Sequence, residues 1–394
     1  MTKKRILIFS LAYYPKFVGG AEVAIKEITD RCGDDFEFDM ITLRLDKALP
    51  KVEKIGNVTV YRIGFAKHNP KAEELLRFPM YLAKVFFPVA AAIKSIVLHH
   101  DKKYDALWSM MTYMGFPAVL FKFFHPKVPF VLTIQDGDSI EHITGRRRIR
   151  VVGLLFREIF KKANAVQAIS HFLAEYAKDM GATCPVVVVP NAVDVDRFAK
   201  EYSKEEIDTI KEKLQKKEGD ITLITTSRLV PKNAVEDVIA AMPLLPSNVH
   251  FLIAGTGPLE TTLCTQAKML GVEERVRFLS FVSQEELPKY LKASDIFIRT
   301  PLSEGFGISF VEAMASGIPV VTTPVGGIPD FLKDKETGLF AKVRDHESIA
   351  NAVMELVRNP ALVSSVKRQA FDMVVSKYDW KIVGEEMRRI FHGL

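Results

Sequence analysis

Cysteine is scarce in this 394-residue chain: there are three, Cys32, Cys184 and Cys264, far apart and without metal-ligand spacing. An odd, scattered set excludes a disulfide framework and fits a reducing compartment. Low-complexity tracts and short-period repeats are also missing, which excludes a linker-rich or solenoid chain. Long uninterrupted apolar runs are missing too. The best, residues 78–98, is broken by Lys84, Lys94, Pro79 and Pro88, and charges near the centre oppose a spanning helix. A buried or interfacial helix is expected there. The opening Lys3-Lys4-Arg5-Ile6-Leu7-Ile8-Phe9-Ser10 has too short an apolar run for a signal peptide and reads as a first strand.

What is present is ordinary globular material, 48% hydrophobic and 26% charged, in a chain long enough for two domains. The net charge of +6 divides unevenly, with +9 in residues 1–200 and −3 in the rest. A basic first half attracts anionic lipid, phosphate or acidic polymers. Its basic residues lack an interleaved aromatic platform, so no nucleic acid is expected.

Short apolar runs alternate with helical patterns along the chain. Strands are expected at 5–10, 36–43, 58–63, 106–108, 130–134, 165–169 and 186–189, and again at 221–226, 250–254, 276–278, 296–299 and 320–322. Continuous rather than alternating apolar character fits parallel strands covered on both faces. A charged helix over 204–217 and the segment Lys216-Lys217-Glu218-Gly219-Asp220 separate the two series. The fold class is therefore α/β, with two doubly wound parallel-sheet domains. The expected division is 1–195 and 196–377, with a C-terminal helix at 378–394 packing back on the first domain.

The segment from Ser294 to Gly317 carries the most chemistry. A strand ends near Arg299, a loop holds Glu304, and a helix starts near Gly307. The backbone of Gly305, Phe306 and Gly307 lets a ligand approach the free N–H groups of a helix start, an anion site suited to a diphosphate. Glu312 lies about 7–8 Å further along the helix at about 1.5 Å per residue. That offset matches the ribose of a nucleotide, whose hydroxyls a carboxylate can accept. Glu304 sits on the other side, placed to hold a sugar. In the segment from Thr226 to Asn233, Arg228 and Lys232 follow a strand and can neutralise a diphosphate. Gly255 and Gly257 follow another strand, but Glu260 stands where a dinucleotide fingerprint needs its third glycine. Asp136-Gly137-Asp138 invites a metal reading, yet it lies far from the phosphate-binding segments, and no metal is expected.

Glu304 and Glu312, with seven residues between them, resemble the Glu-x7-Glu motif of a large family of retaining glycosyltransferases (glycosyl transferases group 1, family 4 type). The segments Gly19-Gly20-Ala21-Glu22, Pro190-Asn191-Ala192-Val193-Asp194, Gly255-Thr256-Gly257-Pro258 and Val325-Gly326-Gly327-Ile328-Pro329 resemble other family motifs in the family's order. The resemblance implies a GT-B fold, two Rossmann-like domains facing a cleft. It implies metal-independent transfer of a hexosyl unit, with retention, from a UDP- or GDP-linked sugar to a sugar, lipid-linked or polysaccharide acceptor. The nucleotide-sugar is a substrate, and no cofactor is expected. Donor-binding residues are then Gly20, Arg228, Lys232, Gly305, Phe306, Gly307 and Glu312, with Glu304 on the sugar. Many relatives carry Thr-x-His at the end of a first-domain strand; this chain has Thr133-Ile134-Gln135, then Asp136. Gln135 and Asp136 are the catalytic candidates on that side, Asp136 as the nearest possible base. Arg146-Arg147-Arg148 and Arg150 add to the basic first half, which fits an anionic acceptor or docking on an anionic membrane. The expected location is cytoplasmic, peripheral on the inner face of the plasma membrane, as part of envelope glycan synthesis. A sugar phosphorylase, a nucleotide-sugar epimerase and a noncatalytic nucleotide-sugar-binding protein stay open as alternatives, and oligomeric state is undetermined.

Overall fold

The computed structural model describes residues 3–70, 78–135 and 147–394. The chain divides into two α/β units. One runs to Asn191 and is completed by Trp380–Leu394; the other is Ala192–Asp379.

The first unit contains β1 (Lys4–Phe9), β2 (Phe36–Leu43), β3 (Val52–Ile55), β4 (Val58–Ile63), β5 (Ala106–Met110), β6 (Phe130–Ile134), β7 (Ala165–Ala168) and β8 (Val186–Val188). They form one sheet in the order β3-β4-β2-β1-β5-β6-β7-β8. Every neighbouring pair is parallel except β3 with β4. β5, β6 and β7 are buried along their whole length, which is why their sequences run apolar without alternation. The sheet is thus not purely parallel: β3 is an antiparallel edge strand. Its Val52-Glu53-Lys54-Ile55 is short, half-exposed and charged, as edges are. Gly56-Asn57 joins it to β4, with Gly56 at φ +54°, a turn signal that marks the hairpin.

The second unit contains β9 (Ile221–Thr226), β10 (Val249–Ala254), β11 (Val276–Ser280), β12 (Ile296–Arg299), β13 (Val320–Thr322) and β14 (Leu339–Phe340), all parallel, in the order β11-β10-β9-β12-β13-β14. The charged helix preceding it spans Lys204–Lys213, shorter than its sequence pattern predicts. Ser203 and Glu206 exchange N-terminal capping bonds, and Gln215 in the left-handed region ends the helical run.

The order in which strands are added reverses between β1 and β5 in the first sheet and between β9 and β12 in the second. Ligands of open α/β sheets bind outside the carboxyl ends of strands at such points. In the second unit, the segment after β9 carries Arg228 and the segment after β12 carries Glu304, so both flank that point.

The C-terminal helix Trp380–His392 packs on helix Gly20–Arg31 of the first unit. Arg388 donates to the Arg31 carbonyl at 2.6 Å and to Asp35 at 3.1 Å. Phe391 sits edge-on to Trp108 and Phe36, with ring centroids 5.2 and 5.6 Å apart. Phe391 is buried, so Phe391→Ala is expected to cost about 3–5 kcal/mol. Urea unfolding of the whole chain measures this; a loss under about 1 kcal/mol would show that the helix does not share the core.

Candidate functional site

The loop after β12 is built around an ion pair. Arg299, the last residue of β12, is buried and donates from Nη2 to Glu304 Oε2 at 2.5 Å. The same nitrogen donates to Asn233 Oδ1 at 2.8 Å, Nη1 donates to Ser309 Oγ at 3.3 Å, and the guanidinium lies over the Phe310 ring. Asn233 in turn donates to the Arg228 carbonyl at 2.6 Å, and Leu302 N–H donates to the Lys232 carbonyl at 2.8 Å. The Arg228–Asn233 segment and the Glu304 loop are therefore cross-linked through one guanidinium and a backbone bond. No sequence motif assigns Arg299 a role. A lone arginine closing the apolar run Ile296-Phe297-Ile298, five residues before a glutamate, is the signal that could have found it.

Glycines let the backbones meet here. Gly326 sits at φ +56°, where a Cβ would come within 1.8 Å of the Glu304 carbonyl oxygen, and Gly327 N–H donates to that same oxygen at 3.1 Å. Gly307 caps helix Ile308–Ala315 at φ +96°, and a Cβ there would strike the Phe310 ring. Glu304 Oε1 accepts from Gly305 N–H at 3.0 Å. Gly255 and Gly257 likewise make room, since a Cβ on either would collide with the backbone of Ser227 or Leu229. They admit the Arg228 segment alongside β10, which explains two glycines without a third.

For Phe306 the sequence points to the backbone alone, not to the side chain. Its ring is fully buried, stacked near Phe331 and Tyr378 at 5.1 and 5.5 Å. Only its backbone is available to a ligand, and the ring anchors the loop in the core. Arg228 is exposed and Lys232 partly so.

Glu312 lies in helix Ile308–Ala315 and is buried. Gln284 Nε2 donates to its Oε1 at 3.3 Å. Burial raises its carboxyl to about 7, with Gln284 and the charge of Arg197 pulling the other way. A carboxylate at this depth accepts hydroxyl protons well, because water competes little.

In the first unit, Gly20 opens helix Gly20–Arg31 and is exposed; Glu22 Oε2 accepts from Gly19 N–H at 2.8 Å. Gln135 follows β6 and exchanges two amide hydrogen bonds with Asn191, each 3.2 Å. Beneath it runs a buried polar chain: Trp108 Nε1 donates to Thr133 Oγ1 at 2.7 Å, Thr133 to Gln167 at 2.5 Å, and Gln167 to the Val189 carbonyl at 2.5 Å. Asp136 lies outside the described residues, as do the side chains of Arg146, Arg147, Arg148 and Arg150.

Two measurements test this geometry. Removing one member of a buried pair leaves the other charge uncompensated, so Arg299→Met is expected to destabilise by about 3 kcal/mol. Adding Glu304→Gln should recover part of that loss in denaturant unfolding; no recovery would mean the pair is not coupled. For Glu312, the folded state holds the proton more tightly than the unfolded chain does. Its ionisation therefore weakens the fold as pH rises from the ordinary glutamate range through about 7. Glu312→Gln should gain stability relative to wild type across that interval, by roughly 1–3 kcal/mol at pH 8, as read by thermal unfolding against pH.

Comparison with known proteins agrees with this architecture. Residues 18–197 match the family model described as Glycosyltransferase Family 4, and residues 206–373 match that for Glycosyl transferases group 1. The chain is 25% identical to an uncharacterized glycosyltransferase of Methanocaldococcus jannaschii, over 98% of this chain and 97% of that one. It is 28% identical to the GDP-mannose-dependent alpha-(1-6)-phosphatidylinositol monomannoside mannosyltransferase of Mycolicibacterium smegmatis, covering 64% of this chain and 68% of that one. Among solved structures, the Anabaena protein HepE in complex with UDP-glucose superposes with a TM-score of 0.78 at 20% identity, covering 99% of this chain and 100% of that one. With two doubly wound α/β units and both family models matched in order, the chain belongs to the group 1 glycosyltransferases and has their GT-B fold.

Proposed function

We propose that the protein transfers a hexosyl unit, with retention of anomeric configuration, from a nucleotide-diphospho-sugar to a glycan or lipid-linked acceptor. The observation that carries this reading is the cross-linked pair of loops at the β9/β12 switch point, which brings together the Arg228 segment, the glycine backbone and Glu304. The polar atoms Thr225 Oγ1, Ser227 Oγ, Arg299 Nε and Thr322 Oγ1, at the ends of β9, β12 and β13, are buried without a protein partner, which favours a polar ligand there. That the mycobacterial relative uses GDP-mannose and HepE holds UDP-glucose supports a UDP- or GDP-linked donor.

In this reading Glu312 accepts the ribose hydroxyls, and the backbone N–H groups of Phe306 and Gly307 face the diphosphate, that of Gly305 being engaged by Glu304. Arg228 and Lys232 neutralise the charge that grows on the diphosphate as its bond to the sugar's anomeric carbon breaks. Glu304, oriented by its bond from Arg299, accepts hydrogen bonds from the sugar hydroxyls. The acceptor oxygen bonds to the anomeric carbon from the face the diphosphate leaves, and its proton passes to the departing phosphate oxygen. No metal takes part in this scheme. Gly20 belongs with the donor-binding residues and Gln135 with the acceptor side, where Gln135 orients a hydroxyl rather than taking its proton. Envelope glycan synthesis at the cytoplasmic side is the setting we propose for the reaction.

Thermal-shift measurements with UDP-, GDP- and ADP-sugars, followed by product analysis with the best donor, test the reading. Glu304→Gln is expected to lower kcat by about a hundredfold or more while nucleotide binding persists. Unchanged turnover would remove Glu304 from the site. Turnover that requires inorganic phosphate, or that proceeds without acceptor, would replace transfer by phosphorolysis or epimerisation. Donor affinity should also fall below pH 7 as Glu312 protonates, by at most about tenfold per pH unit. Glu312→Gln should flatten that dependence in calorimetric titrations.

A further inference from the structure

Among the described residues, helix Met80–Lys102 is the one long and apolar enough, by length and composition, to cross a membrane. It does not leave the fold. Phe87, Ala91, Ala92 and Leu98 are buried on its inner face, which packs on β1 and β2. Its outer face exposes Leu82, Phe86, Val89, Ile93 and Val97, spaced four, three, four and four residues apart, which puts them on one stripe. Phe86 is 63% exposed and Ile93 61%. The neighbouring helix Gly115–Phe124 packs against it and turns Leu120, Phe123 and Phe124 outward, with Phe123 83% exposed. The Tyr113 hydroxyl, donating to the Lys84 carbonyl at 2.9 Å, ties the turn that leads into this helix to helix Met80–Lys102. Soluble surfaces rarely gather large apolar side chains in this way without a partner.

Charge identifies the partner. Between Phe78 and Gln135 the chain has six lysines and two acidic residues, Asp101 and Asp105. Residues 78–100 and 106–135, which contain both exposed faces, have no acidic residue at all. Lys94 borders the stripe, and Lys103 and Lys127 are exposed beyond the helix ends. A second copy of this face would bring two lysine sets together with no carboxylate to answer them, at a cost in like-charge repulsion. A bilayer interface with anionic headgroups instead accepts apolar side chains at the acyl boundary and ammonium groups at the phosphates. We propose that the outward faces of helices Met80–Lys102 and Gly115–Phe124 lie in the interface of an anionic lipid bilayer, with Phe86, Ile93 and Phe123 at the acyl boundary and the lysines at the phosphates. The helix lies on the membrane rather than through it. This surface is independent of the donor-binding residues.

Vesicle flotation of the full chain tests the proposal, with vesicles of phosphatidylglycerol and phosphatidylcholine in equal parts against phosphatidylcholine alone. Wild type is expected to partition at least about tenfold better onto the anionic vesicles, less so in high salt. Phe86→Ser/Ile93→Ser/Phe123→Ser and Lys94→Gln/Lys103→Gln/Lys127→Gln should each lose about tenfold of that partition. Circular dichroism and nucleotide-sugar binding should be unchanged, since all six side chains lie outside the donor site. Equal partition on both vesicle types, or unchanged partition of the apolar variant, would overturn the proposal. So would a dimer in sedimentation velocity that the serine variant abolishes while wild type ignores vesicles. Nucleotide-sugar binding is read separately, so its failure counts against the transferase reading and not against the surface.

Discussion

The second unit depends on a buried ion pair. Arg299 and Glu304 are both largely withdrawn from water, where an unpaired charge is costly. The pair is tolerable because the guanidinium is satisfied on several sides: by Glu304, by Asn233, by Ser309 and by the Phe310 ring. These partners come from separate pieces of chain. The same contacts that neutralise the charge therefore fix the segment after β9, the loop after β12 and the start of helix Ile308–Ala315 as one assembly. Gly326 and Gly307 follow from that constraint, because any side chain at either position would push the loop off its partners.

Around this assembly, two glutamates of identical chemistry acquire opposite character. Glu304 is ion-paired with the Arg299 guanidinium. Glu312, with a hydrogen bond from Gln284 and the charge of Arg197 acting against the effect, has its proton affinity raised by burial. The first unit also has a neutral buried relay, from Trp108 through Thr133 and Gln167 to the Val189 carbonyl. The Gln135–Asn191 amide pair fixes Gln135 without charge.

Helix Met80–Lys102 shows another way in which environment decides meaning. It is apolar on both faces, so its composition admits a core helix, a spanning helix and an interfacial one. Packing against β1 and β2 uses one face and leaves the other outward, and only that division turns composition into a surface.

Much of this architecture is legible in the residues themselves. The strands Phe36–Leu43, Val58–Ile63, Phe130–Ile134, Ile221–Thr226, Ile296–Arg299 and Val320–Thr322 coincide with their apolar runs, because buried parallel strands must be apolar on both faces. β3 and β14 escape that signal, one being a charged edge and the other two residues long. The paired glutamates, the glycines and Arg228 are visible because local backbone and charge requirements act along the chain. By itself the sequence determines that two parallel-sheet units form and that a glycine-rich, doubly acidic loop follows the fourth strand of the second series. Tertiary structure alone decided that Arg299 neutralises Glu304, that Glu312 is desolvated, that Phe306 faces the core and that Gln135 is paired with Asn191. Proton affinity, ion pairing and exposure depend on which distant segments exclude water from a side chain, and no local pattern along the chain records that.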